Sequence, residues 1–396
     1  MSKDTTLLPY GRQSIDDDDV AAVTAALRAD YLTTGPLVDA FEQDFARMTG
    51  APHAVACNSG TAALHLAVLA NGLGEGDTAV VPAITFLATA NVVRMNGAEV
   101  VFADVDAETG LLTAGGLDEA CQRAEAQGRS VKVAMPVHLN GLVCDMPALA
   151  KVAARRGIAL VEDACHALGV PEVGAGKYSQ SACFSTHPVK AVTTGEGGVL
   201  TTSDEAVAQR ARLFRNHGMT RDPQRFENRD LAFDGNQPNP WYYEMPEIGW
   251  NYRLPDILCA LGQSQLRKLP GFWRRRCEIA ALYDELLAPL SPVIRPVPHA
   301  SGRHGWHLYV VLIDFVGIGM SRAAVMNALR TEGVGTQVHY LPLNRQPYYR
   351  RRYGDVTLPG ADAYYARCLS LPMFPAMTND DVRRITGALA RLIGRS

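Results

Sequence analysis

Over its first 250 or so residues the chain alternates short apolar runs with amphipathic stretches, and this alternation constrains the fold more than any other feature. Ala54 to Cys57, Thr78 to Val81, Val100 to Phe102, Lys132 to Pro136 and Ile158 to Val161 read as strands. Thr61 to Ala70, Ala88 to Met95, Gly116 to Ala126 and Met146 to Arg156 read as the helices between them. Strand alternating with helix predicts an α/β fold whose mainly parallel sheet is covered on both faces. Ligands of such sheets bind beyond the carboxyl ends of the strands. The residues just after each apolar run are therefore the place to look for chemistry.

From about Asp256 the pattern changes. A long helix over Asp256 to Leu286, with Pro270 as a candidate break, leads into a strand over His307 to Ile313. A helix over Arg322 to Glu332, a strand around Gly335 to Tyr340 and a last helix over Asp380 to Ile393 follow. We read this part as a smaller α+β domain. At ~150 residues per domain, 396 residues leave room for two. The division is a large domain over 16–255 and a small one over 256–396 that also takes in residues 1–15. Residues 222–247, rich in Asn, Asp, Pro and aromatics, look like a long functional excursion. Ser14-Ile15-Asp16-Asp17 resembles a capping box, so the aspartates at 16–19 read as the first turn of a helix rather than a metal site.

Composition removes several classes. Lys plus Arg is 38 and Asp plus Glu is 41, a net charge of -3, so no basic excess points to nucleic acid. The longest apolar stretches, such as Leu308 to Ile313, fall well short of the ~20 residues of a membrane helix. Met1-Ser2-Lys3-Asp4 lacks the apolar run of a signal peptide. Eight cysteines with no C-x-x-C pair suggest free thiols in a reducing compartment, and the expected location is cytoplasmic.

Three segments could carry chemistry together. Asn58-Ser59-Gly60-Thr61-Ala62-Ala63 follows a strand and opens a helix. Small residues there let a phosphate reach the backbone amides, and the helix dipole favours its charge, although Ser and Thr are also ordinary caps. Glu162-Asp163-Ala164-Cys165-His166 ends an apolar strand. A carboxylate there is costly to bury without a charged partner, and a protonated pyridine nitrogen is one such partner. The plainer reading is a capping Asp at a strand-to-helix turn. Lys190 lies 27 residues after Asp163 and precedes Thr193-Thr194-Gly195-Glu196-Gly197-Gly198. A lysine of lowered pKa can form a Schiff base with an aldehyde, though a lone lysine is usually a solvated one.

The combination says more than its parts. A phosphate cradle, an acid for a pyridine nitrogen and a lysine for an aldehyde are the three needs of pyridoxal 5'-phosphate (PLP). Phe86, after the strand Thr78 to Val81, is placed to stack on a pyridine ring or to serve as a core aromatic.

At these residues the sequence resembles the DegT/DnrJ/EryC1/StrS group of sugar aminotransferases, PLP enzymes of fold type I. The shared pieces are Asn58 to His65, Pro82-Ala83-Ile84-Thr85-Phe86, Glu162 to Ala167 and His187 to Gly198. Within the group, Pro9 to Ile15, Arg215 to Gly218, Pro240 to Met245, Gly249 to Arg253 and Gln337 to Tyr340 look most like the branch serving pseudaminic acid biosynthesis. That branch moves an amino group from an amino acid, usually L-glutamate, to C4 of a UDP-4-keto-6-deoxy-N-acetylhexosamine. The product is UDP-4-amino-4,6-dideoxy-N-acetyl-β-L-altrosamine.

The resemblance implies an aspartate aminotransferase-like fold, with a mainly parallel seven-stranded sheet in the large domain and a homodimer that shares its active sites. It implies that Lys190 bonds the cofactor aldehyde and shuttles protons, that Asp163 holds the pyridine nitrogen, and that His166 lies by the ring and its 3'-oxygen. Gly60, Thr61 and Ser185 would cradle the phosphate, with Asn251 reaching it from the second subunit. Tyr10, Asp30, Tyr31, Leu32, Thr33, Gln337, Val338, His339 and Tyr340 would contact the nucleotide sugar. No metal is expected.

There are departures. The stretch around Val170 to Gly174 looks a few residues short, Thr186 stands where Phe is common, and Cys165 and Cys183 replace small or aliphatic residues. Related sugar dehydratases carry His at the position of Lys190, which disfavours a dehydratase. The alternatives are an aminotransferase for another nucleotide 4-keto sugar, of the legionaminic or perosamine type, and a PLP-fold regulator without turnover. Arg350-Arg351-Arg352 could attract a diphosphate but reads better as a solvated face, as does Arg274 to Arg276.

Overall fold

The structure is a computed structural model that describes residues 7–299 and 302–394. The reading made above of Met1 to Asp4 lies outside these residues. Seven strands form the central sheet: β1 His53–Cys57, β2 Thr78–Pro82, β3 Glu99–Ala103, β4 Val131–Ala134, β5 Ala159–Asp163, β6 Ser181–Ser185 and β7 Gly198–Thr202. Their order is β1-β7-β6-β5-β4-β2-β3. The run β6-β5-β4-β2-β3 is parallel, and β7 runs antiparallel to both β6 and β1. This is the α/β architecture that the alternation predicts.

Side-chain alternation along the strands builds a core on each face. On one face Val55 and Cys57 join Leu64, Val80, Leu117 and Leu149. On the other Ala54 and Ala56 join Phe41, Phe45, Phe184 and Leu266. The register sets Cys57 and Ser185 both opposite Gly198, and Asp163 opposite Cys183. The carboxyl ends of β1, β5 and β6 therefore open on one edge of the sheet.

A two-strand hairpin, β8 Phe233–Asp234 and β9 Gln237–Pro238, lies in the excursion at 222–247. That segment is tied by Glu244, whose carboxylate accepts from the backbone of Glu227 and Asn228 and from the Tyr242 hydroxyl. A second, antiparallel sheet is made of β10 Ile294–Pro296, β11 Tyr309–Ile313 and β12 Cys368–Leu371. It has its own core, with Tyr283, Tyr309, Leu329, Phe374 and Ile385.

Four expectations change. The first helix, Asp17–Leu27, is capped by Asp16 with Asp19 as the returning side chain, not by Ser14. Lys268 pairs with both Asp16 and Asp19, so the acidic turn has a cation of the protein's own. The helix Asp256–Leu287 runs through Pro270 without a break. A mid-helix proline costs ~3 kcal/mol, and burial of Leu266, Leu269, Ile279 and Tyr283 along the same helix offsets it.

Gly335 to Tyr340 is not a strand. Its backbone bonds are split between Leu8, which bonds Gly335, and Ser370, which bonds Gln337, so no continuous ladder forms. Arg276 is not solvated either. It is 2% exposed and donates to the carbonyls of Trp306, His307 and Met373. Arg350 and Arg352 do lie at the surface, paired with Asp355 and Glu99.

The chain's opening segment threads between the two sheets. Leu8 exchanges hydrogen bonds with Gly333 and Gly335, the Tyr10 carbonyl accepts from the Met373 amide, and the Ser14 carbonyl accepts from Gln265. Gly11 passes Val189 closely enough that an added Cβ would touch its side chain at 3.6 Å.

Candidate active site

The sheet edge opens into a cavity of about 640 Å³ lined by Gly60, Thr61, Asp163, His166, Ser185 and Lys190, with Phe86 and Tyr10. Gln337, Val338, His339 and Tyr340 also line it. Asn251 and Asp30 to Thr33 are not in this wall. They are exposed, Tyr31 to 58%, and the Asn251 carbonyl accepts from the Asn58 side chain at 3.3 Å.

At the end of β1 the chain turns into the helix Gly60–Ala70, which Ser59 caps by accepting from the Ala62 amide at 3.0 Å. Gly60 lies against Ser185, where an added Cβ would come within 2.8 Å of the serine Cβ. The helix therefore presents its first turn beside a hydroxyl, with no side chain of residue 60 between them. A dianionic phosphate fits this arrangement.

Asp163 ends β5 with a carboxylate that is 5% exposed. Thr89 donates to Oδ2 at 2.7 Å and the Cys165 amide to Oδ1 at 3.2 Å. Thr85 in turn shares a hydrogen bond with Thr89 at 2.8 Å. Every one of these partners is neutral, and among the described residues no salt bridge forms to Asp163. A buried carboxylate with neutral partners is stabilised by a cation entering the cavity. A pyridinium nitrogen is such a cation.

Lys190 follows β6 on a turn in which its amide donates to the His187 carbonyl at 2.8 Å. Burial holds its ammonium below the ordinary lysine range, against the opposing pull of Cys165 and Asp163. A lysine shifted in this direction gives up its proton more readily, which favours its amine as a nucleophile for an aldehyde. Burial also pushes the Cys165 thiol well up, so it stays a thiol. Thr186 is fully buried and pairs with the Thr194 hydroxyl at 2.5 Å, which anchors the lysine turn to the glycine-rich segment after it.

His166 is buried and accepts at Nδ1 from the Asn140 amide at 3.2 Å. Its Nε2 lies 3.3 Å from the Tyr340 hydroxyl, and the His307 ring packs beside it, tilted by 45° at 4.3 Å between ring centroids. Burial first, then Lys190 and His339, holds His166 neutral, well below the usual histidine range. Phe86 is 54% exposed at the rim, 5.9 Å from the Tyr340 ring.

Together the turn at Gly60, the carboxylate of Asp163 and the amine of Lys190 fit the phosphate, the pyridine nitrogen and the aldehyde of PLP. Thr89, Asn140 and His307 were missed from the sequence. Thr85-x-x-x-Thr89 at a helix start is the only signal that could have found any of them.

The Thr89 contact yields an expected result. Thr89→Val keeps the side-chain shape and leaves Oδ2 of Asp163 without its donor. A hydrogen bond to a charged group contributes ~1.5–3 kcal/mol, so PLP affinity, read by absorbance titration, should fall by about tenfold to a hundredfold. An unchanged dissociation constant would detach Thr89 from the site.

Among the described residues there is no cluster of metal ligands and no helix long and apolar enough to cross a membrane. Residues 13–390 match the DegT/DnrJ/EryC1/StrS aminotransferase family. The spore coat polysaccharide biosynthesis protein SpsC of Bacillus subtilis is 37% identical over 399 residues, covering 99% of each chain. Helicobacter pylori PseC, an aminotransferase involved in pseudaminic acid biosynthesis, superposes with a TM-score of 0.87 at 26% identity, over 98% of this chain and 100% of its own. The PLP form of Spr1654 from Streptococcus pneumoniae, described as a sugar aminotransferase, gives 0.85 at 27% identity over 98% and 99%. The fit of Gly60, Asp163 and Lys190 to PLP accords with a match spanning almost the whole length: the chain belongs to the DegT/DnrJ/EryC1/StrS family of PLP-dependent sugar aminotransferases.

Proposed function

We propose that the protein transfers an amino group from an amino acid, L-glutamate in the first instance, to C4 of a UDP-linked 4-keto-6-deoxy-N-acetylhexosamine. The product would be UDP-4-amino-4,6-dideoxy-N-acetyl-β-L-altrosamine, of the pseudaminic acid route. The observation that carries the transaminase reading is the buried Asp163 carboxylate, held only by neutral donors, in the same cavity as Lys190. The likeness to PseC supports the sugar. The larger identity to SpsC favours a second reading, in which the same chemistry serves another nucleotide 4-keto sugar.

The bound cofactor supplies an aldehyde that takes up an amino group and a ring that accepts the electrons of a broken C–H bond. The protein's groups do the rest. Asp163 keeps the ring nitrogen protonated. Gly60, Thr61 and Ser185 hold the phosphate and so fix the ring in the cavity. Lys190 would anchor the aldehyde; once displaced, its amine would carry the proton from the donor's Cα to the cofactor's aldehyde carbon in the first half-reaction, and a proton from that carbon to C4 of the sugar in the second.

Among the described residues the cavity wall contains no arginine. We further propose a homodimer in which Asn251 of a second copy reaches the phosphate, with Asp30 to Thr33 contacting the nucleotide sugar. We extend the proposal to a cytoplasmic enzyme divided into domains at 16–255 and 256–396, the latter with residues 1–15.

The test is single-turnover mass spectrometry on enzyme loaded with pyridoxamine phosphate and mixed with a panel of UDP-4-keto-6-deoxy sugars. Amination of the β-L-arabino 4-keto sugar alone is expected. Amination of a different sugar would move the pathway and keep the mechanism. No amination, with cofactor bound, would overturn the substrate class.

A further inference from the structure

Next to Asp163 in the chain stands a second buried carboxylate, Glu162, which the site does not use. Neighbours on a strand face opposite sides of the sheet, and accordingly Asp163 lines the cavity while Glu162 does not. Glu162 is 3% exposed. Its Oε1 accepts from the buried Ser179 hydroxyl at 2.5 Å, and its Oε2 lies 2.7 Å from Nε2 of the fully buried His138. The Cys144 amide donates to Nδ1 of that ring at 3.3 Å, so Nε2 is the nitrogen left to donate.

These bonds join the two segments that flank the end of β5. The ladder between β4 and β5 is short, with Val133 opposite Ala159 and Ala134 opposite Leu160. Beyond it the Asp163 amide donates to the Pro136 carbonyl at 2.8 Å, and the Asp163 carbonyl accepts from the His138 amide at 3.1 Å. On the other side Asp163 lies opposite Cys183 of β6, and Ser179 precedes that strand by two residues. Glu162 therefore holds the extension of β4 with one oxygen and the approach to β6 with the other. Apolar side chains of like volume often replace such buried polar groups without loss of stability. What the hydrogen bonds add is direction: they fix where residues 162 and 163 stand, and with them the Asp163 carboxylate.

We propose that His138, Glu162 and Ser179 form a positioning device that holds Asp163 at the cofactor's ring nitrogen from behind, without touching the cofactor. The proposal rests on the assignment of Asp163 to that nitrogen.

The experiment is a double-mutant cycle, read by the PLP dissociation constant and by the nitrogen NMR signal of ring-labelled PLP. His138→Leu, Ser179→Ala and His138→Gln are each made alone and together with Asp163→Asn. Partners standing behind a ligating group contribute about tenfold to a hundredfold to affinity. His138→Leu should therefore weaken PLP binding by about tenfold or more, and move the ring-nitrogen signal toward its unprotonated position. Ser179→Ala leaves the His138 bond in place and should move both readings the same way by less; it carries the cycle if the leucine variant does not fold. His138→Gln can accept from Cys144 and donate to Glu162, so it should stay within about threefold of wild type. In the Asp163→Asn background, where the positioned charge is gone, His138→Leu should change the dissociation constant by less than about twofold.

A role in folding alone would weaken binding equally with and without Asp163→Asn and leave the nitrogen signal in place, which would overturn the proposal. So would wild-type affinity in both His138→Leu and Ser179→Ala. If Asp163→Asn by itself leaves the affinity and the nitrogen signal unchanged, it is the assignment of Asp163 that fails, a distinct result.

Discussion

With Lys190 replaced by alanine, steady-state transamination should disappear. The lysine is asked for two things, anchoring the aldehyde and moving the proton at Cα. A positioned acid–base group alone contributes ~10²–10⁴ in rate, so a loss of at least about 10⁴-fold is expected from both. The variant keeps Gly60, Ser185 and Asp163 and should still take up PLP, with the absorbance of a free aldehyde rather than of a Schiff base. That uptake separates loss of chemistry from loss of fold. Appreciable turnover by the variant would remove Lys190 from the mechanism.

Asp163→Asn should give the second largest effect. The amide oxygen still accepts from the Cys165 amide, and the NH2 group can donate to the Thr89 hydroxyl oxygen, so the fold of the β5 end is kept. The negative charge is lost. Breaking one side of a buried charge pair costs ~3–5 kcal/mol, which corresponds to a drop of about 10² to 10³-fold or more in kcat/KM. The bound cofactor should also lose its ring-nitrogen proton, which the pH dependence of its absorbance or nitrogen NMR would report. A variant within a few-fold of wild type would mean that the ring needs no charged partner here.

Much of this was readable before the fold was known, and the reasons are local. Strands β1 to β5 are apolar runs followed by helical patterns, and the chemistry of the site lies at their ends. Strands β6 and β7 are harder to see because Ser181 to Ser185 and Gly198 to Thr202 mix hydroxyls and glycine with few apolar residues. Their burial comes from tertiary packing against the helices 36–49 and 60–70, not from their own pattern. Arg276 defeats composition entirely. An arginine in a run of three reads as solvated, and only the fold reveals three carbonyls converging on it. Thr89 and Asn140 are ordinary residues until β5 brings Asp163 and His166 to them. The roles of Asn251 and of Asp30 to Thr33 are still proposals, because one chain does not bring them to the cavity.

The threading of the opening segment bears on how the enzyme is made. Leu8 is held by Gly333 and Gly335, and Tyr10, which forms part of the cavity wall, is held through its carbonyl by Met373. These partners are synthesised more than 320 residues later. On the ribosome, the sheet with its lysine and aspartate can assemble long before the wall containing Tyr10 can close. The nascent chain can therefore carry the edge with Lys190 and Asp163 still open on one side, until the residues around 333–373 arrive to seal it.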